Sequence, residues 1–442
     1  MDMSEIGITA KNVRRIAHLD IPGGGQVFVK DGRAYIGHIA PPEGTSIIDV
    51  SDLSRPKVLS TIMVPNTTSH SHKARVHGDI MLVNSEYTNR HQSAAGKQIP
   101  IMKKKLREQL GRNPTDEEVC TALNYRPEDY ARLLAAAAAK KYEDGGLRIY
   151  NVADPTNPKQ IGFFKTGGNG VHRFDSDGRY AYISTGMDGY ARNIVMIVDI
   201  SDPTKPREVS RWWLPGQWLE GGEEPTWGGL RFECHHPLRF GDRLYVSYHA
   251  AGTVILDISD ITKPKPISHY NYHPPLVFST HTYARMPFKL GGRDIAVVVD
   301  EQSGRPKWAD AGHVPGFMWV FDVTNEADPK PIATYFMSPE DTPWKRGDMG
   351  FSARFGAHQC HEKMRDSLVY VTWFRGGLRI VDIADPFKPR EVGFFIPTPS
   401  GGQKTVQSND VFVDDNGIIY VIDRLNGLDI LEYTGPAGTG PR

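Results

Sequence analysis

The side chains in this sequence with the widest chemical reach are its 16 histidines, because neutral imidazole ligates iron, copper, zinc, manganese and nickel and titrates closest to neutrality. Their spacing follows a pattern. When strand-like runs are aligned on the run that follows each, His72 stands seven residues before Asp79, His172 seven before Arg179 and His236 seven before Arg243. His281, in Thr280-His281-Thr282-Tyr283, and His361, in His358-Gln359-Cys360-His361-Glu362, fall near the same level, where two further runs carry Gln26 and the Asn409-Asp410 pair. If these runs line one axis, His72, His172, His236, His281 and His361 converge as ligands for a divalent transition metal, with iron first and copper, zinc and manganese as alternatives. His358 is the reserve ligand. Glu233 and His358 are assigned to the shell behind the ligands, where a carboxylate orients an imidazole through its free ring N–H. His70 and His235 neighbour the ring positions and are expected to point elsewhere, into the wall or toward substrate. The competing reading of each histidine is a hydrogen-bonded structural residue; the shared register favours the metal.

Ligation by neutral imidazole leaves the ion's charge uncompensated, which favours an anionic or oxygen-donor substrate, O₂ activation or acidification of a bound water. Tyr283, Glu301 and Glu362 lie close enough in sequence to the ring positions to act as catalytic proton carriers. Trp227, Trp308 and Trp344 belong to loops and suggest stacking against a flat or apolar substrate. Arg354 and Arg375 could pair with its carboxylate or phenolate. The leading expectation is an enzyme that cleaves or oxidises a small, aromatic substrate; a redox-neutral lyase or hydrolase on the same site is the alternative. Nucleophile-elbow, phosphate-loop and dinucleotide motifs are lacking, and the Gly23-Gly24-Gly25 cluster opens no helix and reads as a turn.

A degenerate repeat supplies the elements that would position these residues. A β-rich run followed by Asp or Asn, a polar turn and a proline recurs at 46–52, 147–155, 195–203, 254–260, 318–325 and 378–386, with a truncated copy at 428–433. The first six continue through a second proline (Pro56, Pro158, Pro206, Pro264, Pro329, Pro389) into another β run, where proline ends one strand and fixes the turn into the next. Two further strand-like runs precede each copy, giving four antiparallel strands per unit, the pattern of a propeller blade. The fold expected is all-β: a seven-bladed β-propeller over 1–442, closed by pairing of the N-terminal run Val13 to Asp20 with the last blade.

These motifs resemble the LVIVD-repeat proteins, β-propellers named for a Leu-Val-Ile-Val-Asp run that is matched here as Leu378-Arg379-Ile380-Val381-Asp382. The resemblance implies the fold over nearly the whole chain and leaves function open, since propellers host binding proteins, scaffolds and enzymes alike. In architecture and multi-histidine site logic the chain is similar to carotenoid cleavage oxygenases, which hold iron on four axial histidines, and to selenium-binding proteins, which act as thiol oxidases. A non-catalytic protein-interaction propeller is the remaining class.

Long connections fall at 86–144, 214–232, 301–315 and 338–356, on one face of the propeller, and function is expected there. The largest, 88–143, interrupts blade two as an α-helical insertion, with Thr115-Asp116-Glu117-Glu118 as a capping box and Pro127-Glu128-Asp129 opening a further helix. Its expected use is a lid or a dimerisation arm for a homodimer. The stretch 110–119 looks like a helix-turn-helix of bacterial sigma factors, but 52 basic residues balance 52 acidic ones, so no nucleic acid and no membrane surface is expected as a partner, only a small-molecule substrate. Three scattered cysteines (Cys120, Cys234, Cys360) and an N-terminus without a basic or apolar leader point to a cytoplasmic protein.

Overall fold

The computed structural model describes residues 9–123, 125–139, 141–227, 230–273, 279–301, 316–338, 341–344 and 354–440. It is an all-β propeller carrying four α-helices among the described residues. Antiparallel four-stranded meanders follow one another along the chain, the first formed by Gly24–Lys30, Arg33–His38, Glu43–Asp49 and Lys57–Met63. A nine-stranded sheet comes next. It contains one meander ending in Lys159–Lys165 and another from Gly170–Ser176 to Arg207–Trp212, joined where Gly170 pairs with Glu86. Meanders opening with Cys234–Phe240, Ser279–Leu290, Ala357–Cys360 and Ser408–Val413 complete the series.

The repeat has a local physical cause. In every meander but the last, the aspartate or asparagine that ends the third strand accepts the backbone N–H two residues on, as Asp49 does from Ser51 at 2.9 Å, Asn151 from Ala153 at 2.9 Å and Asp199 from Ser201 at 2.9 Å. A second aspartate three residues later repeats the turn, Asp52 taking the Ser54 N–H and Asp202 the Thr204 N–H at 3.0 Å each. Two successive side-chain-closed turns reverse the chain without a helix and leave the proline to start the outer strand.

Closure follows the expected pairing. Val13–Leu19 lies antiparallel to Gly427–Tyr433, from Val13 opposite Tyr433 to Leu19 opposite Leu428. Thr9–Lys11 adds itself to Arg390–Ile396, so one N-terminal segment ties two sheets together. Hydrophobic layers between sheets carry the packing: Val13, Leu378, Ile380, Phe395, Val421 and Leu431 form the layer at the closure.

Between Ile80–Tyr87 and Gly146–Asn151 the chain leaves the sheet as helices α1 (Arg90–Gly96), α2 (Ile99–Leu110), α3 (Asp116–Ala122) and α4 (Tyr130–Ala138). They bury a small core of their own around Ile99, Val119, Leu123 and Leu133. The Thr115 hydroxyl accepts the Glu118 N–H at 3.1 Å, and Glu118 returns the bond to the Thr115 N–H at 2.8 Å. No described helix is long and apolar enough to cross a membrane, and all three cysteines are free and buried.

Leu431 is fully buried where the two ends of the chain meet, so Leu431→Ala should cost about 3 kcal/mol through lost contacts and a cavity. Phe387→Ala, at a half-exposed ring on the outer rim, should stay within about 0.5 kcal/mol of the wild type. Urea melts of the two variants check this pair.

Candidate metal centre

The innermost strand of each meander is interrupted by one extra residue. Pairing runs from Cys234 opposite Tyr248 to His236 opposite Ser247, so His235 is bulged out of the ladder. The same irregularity expels His281 between Thr280 and Thr282, His358 between Ala357 and Gln359, Asn409 between Ser408 and Asp410, and Gly25 between Gly24 and Gln26. Around His172 the ladder jumps from Val171 opposite Thr185 to Phe174 opposite Ile183, and around His72 from His70 opposite Glu86 to Ala74 opposite Val83. A bulge re-aims a side chain out of the sheet. Repeated around a closed ring, it turns equivalent side chains toward one place.

That place is a cavity of about 580 Å³ whose wall includes His70, His72, His172, His235, His249, His281 and His358. The rings form a continuous arc: centroids lie 4.8 Å apart for His70 and His72, 4.9 Å for His72 and His172, 4.9 Å for His172 and His235, 4.0 Å for His235 and His281, and 4.1 Å for His281 and His358. Burial pulls all seven imidazoles well below their ordinary pKa, and nearby arginines and histidines add to the effect. They are therefore neutral at pH 7, the form that ligates a metal.

Hydrogen bonds fix which ring nitrogen carries the proton. The Nδ1–H of His235 donates to the His281 carbonyl at 2.6 Å, that of His281 to the Thr282 hydroxyl at 3.0 Å, that of His358 to the Asn409 carbonyl, and that of His172 to Glu86 at 2.8 Å. Thr282 is the acceptor in its contact because its own proton goes to Gln359 at 2.7 Å. His235, His281 and His358 thus keep the lone pair on Nε2, and His172 does so when Glu86 is ionised. Arginine N–H groups already point at two of those lone pairs, Arg173 at His281 and Arg424 at His358, both at 3.4 Å.

His72 is set the other way. The Asn84 amide oxygen accepts the His72 and Lys73 backbone N–H groups, so its NH₂ faces His72 Nδ1 at 3.2 Å and the Val171 carbonyl at 3.0 Å. The His72 proton accordingly sits on Nε2, which has no partner.

Three carboxylates stand against the arc. Glu86 contacts His172, His70 at 3.3 Å and Arg90 at 3.1 Å, and burial pushes its carboxyl up to about 8. Glu233 is the opposite case: burial would raise it, but Arg231 and Arg192 hold it far below the usual range. Glu301 lies 2.8 Å from Arg354 and 3.9 Å from His358 Nε2. Two groups bring ligand atoms within 4.8 Å of one another, His70 with His72 and Glu86, and His281 with Glu301 and His358.

Of the residues singled out by sequence, His72, His172, His281, His358, Glu301 and Arg354 line this cavity. His236 and His361 do not. His236 lies one residue past the bulge, where its Nε2 accepts from Lys73 Nζ at 2.6 Å. The one-residue error has a clear source: the carbonyls of Asp79, Arg179 and Asp242 are equivalent, each accepting the N–H that follows the third strand (Val152, Ile200 and Ile258). Counting seven back from Asp242 instead of Arg243 gives His235. His361 accepts the Val413 N–H at 3.3 Å beside Phe412.

The remaining assignments fall elsewhere. Tyr283 is buried between Tyr245 and Phe321 in the layer between two sheets, away from the cavity. Glu362 pairs with Lys73 and Arg75 beneath the arc. Trp227 stacks on Phe232, Trp344 packs on Ile396 and Val406, and Arg375 is buried off the cavity wall; Trp308 lies outside the described residues. Glu233 stands behind His249, 3.7 Å away. Sequence reasoning set His235 aside as a ligand, expecting it in the wall or toward substrate, and it missed Arg173 and the insertion's Tyr125, Arg126, Asp129 and Arg132; all of these reach the cavity wall.

In sequence, the LVIVD repeat model matches residues 177–212, 240–272 and 367–396, so the chain carries LVIVD repeats. No curated protein matches the chain. Among solved structures, the periplasmic gluconolactonase PpgL of Pseudomonas aeruginosa aligns with a TM-score of 0.51 at 13% identity, over 92% of this chain and 96% of that one. A streptogramin B lyase aligns with a TM-score of 0.48 at 10% identity, over 95% and 97%. At such identities the likeness is one of fold.

Imidazoles whose folded pKa is depressed contribute stability that is complete above their unfolded value of about 6.5 and is lost as pH falls below it, because only the unfolded chain accepts the protons. Glu86, Asp300, Asp366, Asp410 and Asp423, with raised pKa values, run the opposite way and are outnumbered by the depressed imidazoles. Metal-stripped protein should therefore lose stability from about pH 6.5 downward, by up to about 1.4 kcal/mol per pH unit for each such imidazole. Urea melts across that range should show a shallower loss for His281→Gln than for the wild type.

Proposed function

We propose that this LVIVD-repeat propeller is a metal-dependent enzyme that cleaves or oxidises a small organic substrate in the histidine-lined cavity. Reading the nine-stranded sheet as two blades gives a seven-bladed ring, with Thr9–Lys11 as an added edge strand. The observation that carries the proposal is the shared orientation of His172, His235, His281 and His358: four successive innermost strands tie Nδ1 to a hydrogen-bond partner and leave Nε2 for one cavity. Hydrogen-bonded structural histidines would have no reason to hold Nδ1 outward in every case. These four are the ligands we assign, with Glu301 and His70 beside them.

Iron is the first choice of ion for an all-imidazole set and copper, zinc and manganese follow; such an ion supplies Lewis acidity and, for the first two, a route for electrons. The protein's part is to orient and to exclude water. Main-chain carbonyls of His281 and Asn409 lock two of the rings. Tyr125, Arg126, Asp129 and Arg132 come from the helical insertion to the wall, which supports a lid rather than a dimerisation arm. Among the described residues Tyr125 is the aromatic side chain of that wall apart from the imidazoles, so stacking of an aromatic substrate rests on it rather than on Trp227 or Trp344.

A redox-neutral lyase or hydrolase on the same site is favoured by one further feature. His72, in the wall, presents Nε2–H, and burial keeps a proton on Glu86, behind His172 and His70, up to about pH 8, so two proton donors stand close to the ligands.

Elemental analysis of purified protein should find about one transition metal ion per chain. His235→Ala and His358→Ala should each lower the content at least tenfold, whereas His236→Ala and His361→Ala should keep it. Folded protein that stays metal-free after reconstitution with iron, copper, zinc and manganese would sink the metalloenzyme reading.

A further inference from the structure

The cavity wall holds seven arginines against two carboxylates, Asp129 and Glu301, among the described residues. Most of the arginines have a carboxylate of their own: Arg90 lies at 3.1 Å from Glu86, Arg132 at 2.9 Å from Asp129 and Arg354 at 2.8 Å from Glu301, and Arg231 lies at 2.7 Å from Glu233. Arg173 is different. It follows His172 directly in the bulge, is 2% exposed, and makes no ion pair within 4.0 Å among the described residues. Its Nε and Nη1 have no hydrogen-bond partner, and its Nη2 has only the long contact to His281 Nε2 at 3.4 Å.

A buried guanidinium with two unused nitrogens costs several kcal/mol unless something answers its charge. The conflict sharpens if His281 binds a cation. That cation takes the lone pair on Nε2, leaving Arg173 without any partner and with a like charge beside it. An anion between them resolves both problems. Guanidinium is planar and matches a carboxylate or another planar oxyanion, and the cavity is far larger than an inorganic ion requires.

We infer that the substrate of this enzyme is a small organic carboxylate, with its carboxylate seated on Arg173 at the inner end of the cavity and its reacting portion against the arc of imidazoles. The inference rests on the proposed function for the second half of that statement only; the carboxylate seat stands on Arg173 itself. The surrounding arginines keep the approach positive and steer an anion inward. Burial pulls Arg173 below the ordinary arginine range, and Asp410, Glu362 and Glu301, acting from further off, offset that only in part.

The test uses the full-length protein stripped of metal, so that it does not depend on the metal reading. Acetate, benzoate and phthalate are titrated by calorimetry and thermal shift, with benzamide as the neutral counterpart of benzoate and inorganic phosphate as a second anion. At least one carboxylate should bind and raise Tm while benzamide does not. Arg173→Met should weaken that binding at least tenfold and Arg173→Lys should recover part of it, with unchanged far-ultraviolet circular dichroism as the check on folding. Failure of all three carboxylates to bind wild-type protein overturns the inference even if neither variant folds. So does equal binding by benzamide, tighter binding of phosphate than of any carboxylate, or carboxylate binding that survives in a folded Arg173→Met. Metal content measured on the same preparations before stripping reports on the proposed function separately.

Discussion

One extra residue in each innermost strand is the constraint on which the site depends. An unbroken ladder would send alternate side chains into the layers between sheets, and successive residues could not both serve the axis. The bulge breaks that alternation at His172, His235, His281 and His358, and it costs ladder hydrogen bonds that the site then reuses. The carbonyls of His281 and Asn409 accept the Nδ1–H groups of His235 and His358, the histidines of the preceding meanders. His235 and His358 are thereby oriented by the backbone of the next meander, so their tautomer is a property of the packing of one sheet against the next, whereas Thr282 and Glu86 side chains hold His281 and His172.

The residue after each bulge belongs to a second layer with different chemistry. Lys73, Arg173, His236, Gln359 and Asp410 occupy it, joined by Arg75 and Glu362. Lys73 is fully buried against His236 Nε2, and burial with Arg75 pulls its amine well below the ordinary lysine range. Glu362, which burial alone would raise, is held far down by Arg75 and Lys73 and accepts the Gln359 amide at 3.0 Å. Neutral imidazoles above and a compensated ionic network below thus sit within one residue of each other. The step between the layers is where Arg173 lies, and its charge is the one the network leaves unanswered.

The fold was legible because the repeat is written in residues with local consequences. Aspartates that close turns on their own backbone, and prolines that end strands, produce the same geometry wherever they occur, and the unpaired N-terminal run could be matched to the truncated last copy. The site was legible in composition and only partly in register. His172 and His281 line the cavity because their bulges leave them at the expected level. His235 was lost to His236 because a bulge has no sequence signature of its own, and because the hairpin after His172 turns through more residues than the one after His236, whose strand pairs Phe240 directly with Arg243. Tryptophans drew attention to loops, yet Trp227 and Trp344 serve packing. The arginines that reach the cavity from the insertion and from the outer connections carry no motif; only the folded chain shows that Tyr125 and Arg132 approach His172.

The pairing of Val13–Leu19 with Gly427–Tyr433 joins segments from opposite ends of the polypeptide. During synthesis the N-terminal strand has no partner until nearly everything else has left the ribosome, and the axis stays open to water for that whole interval. The buried imidazoles and guanidinium groups are therefore hydrated while the chain grows and lose that water in one late event, when the ring shuts. Side chains contributed by several different meanders can enclose a ligand only then, so the cavity becomes a site once strand Gly427–Tyr433 has been made and not with the folding of any single unit.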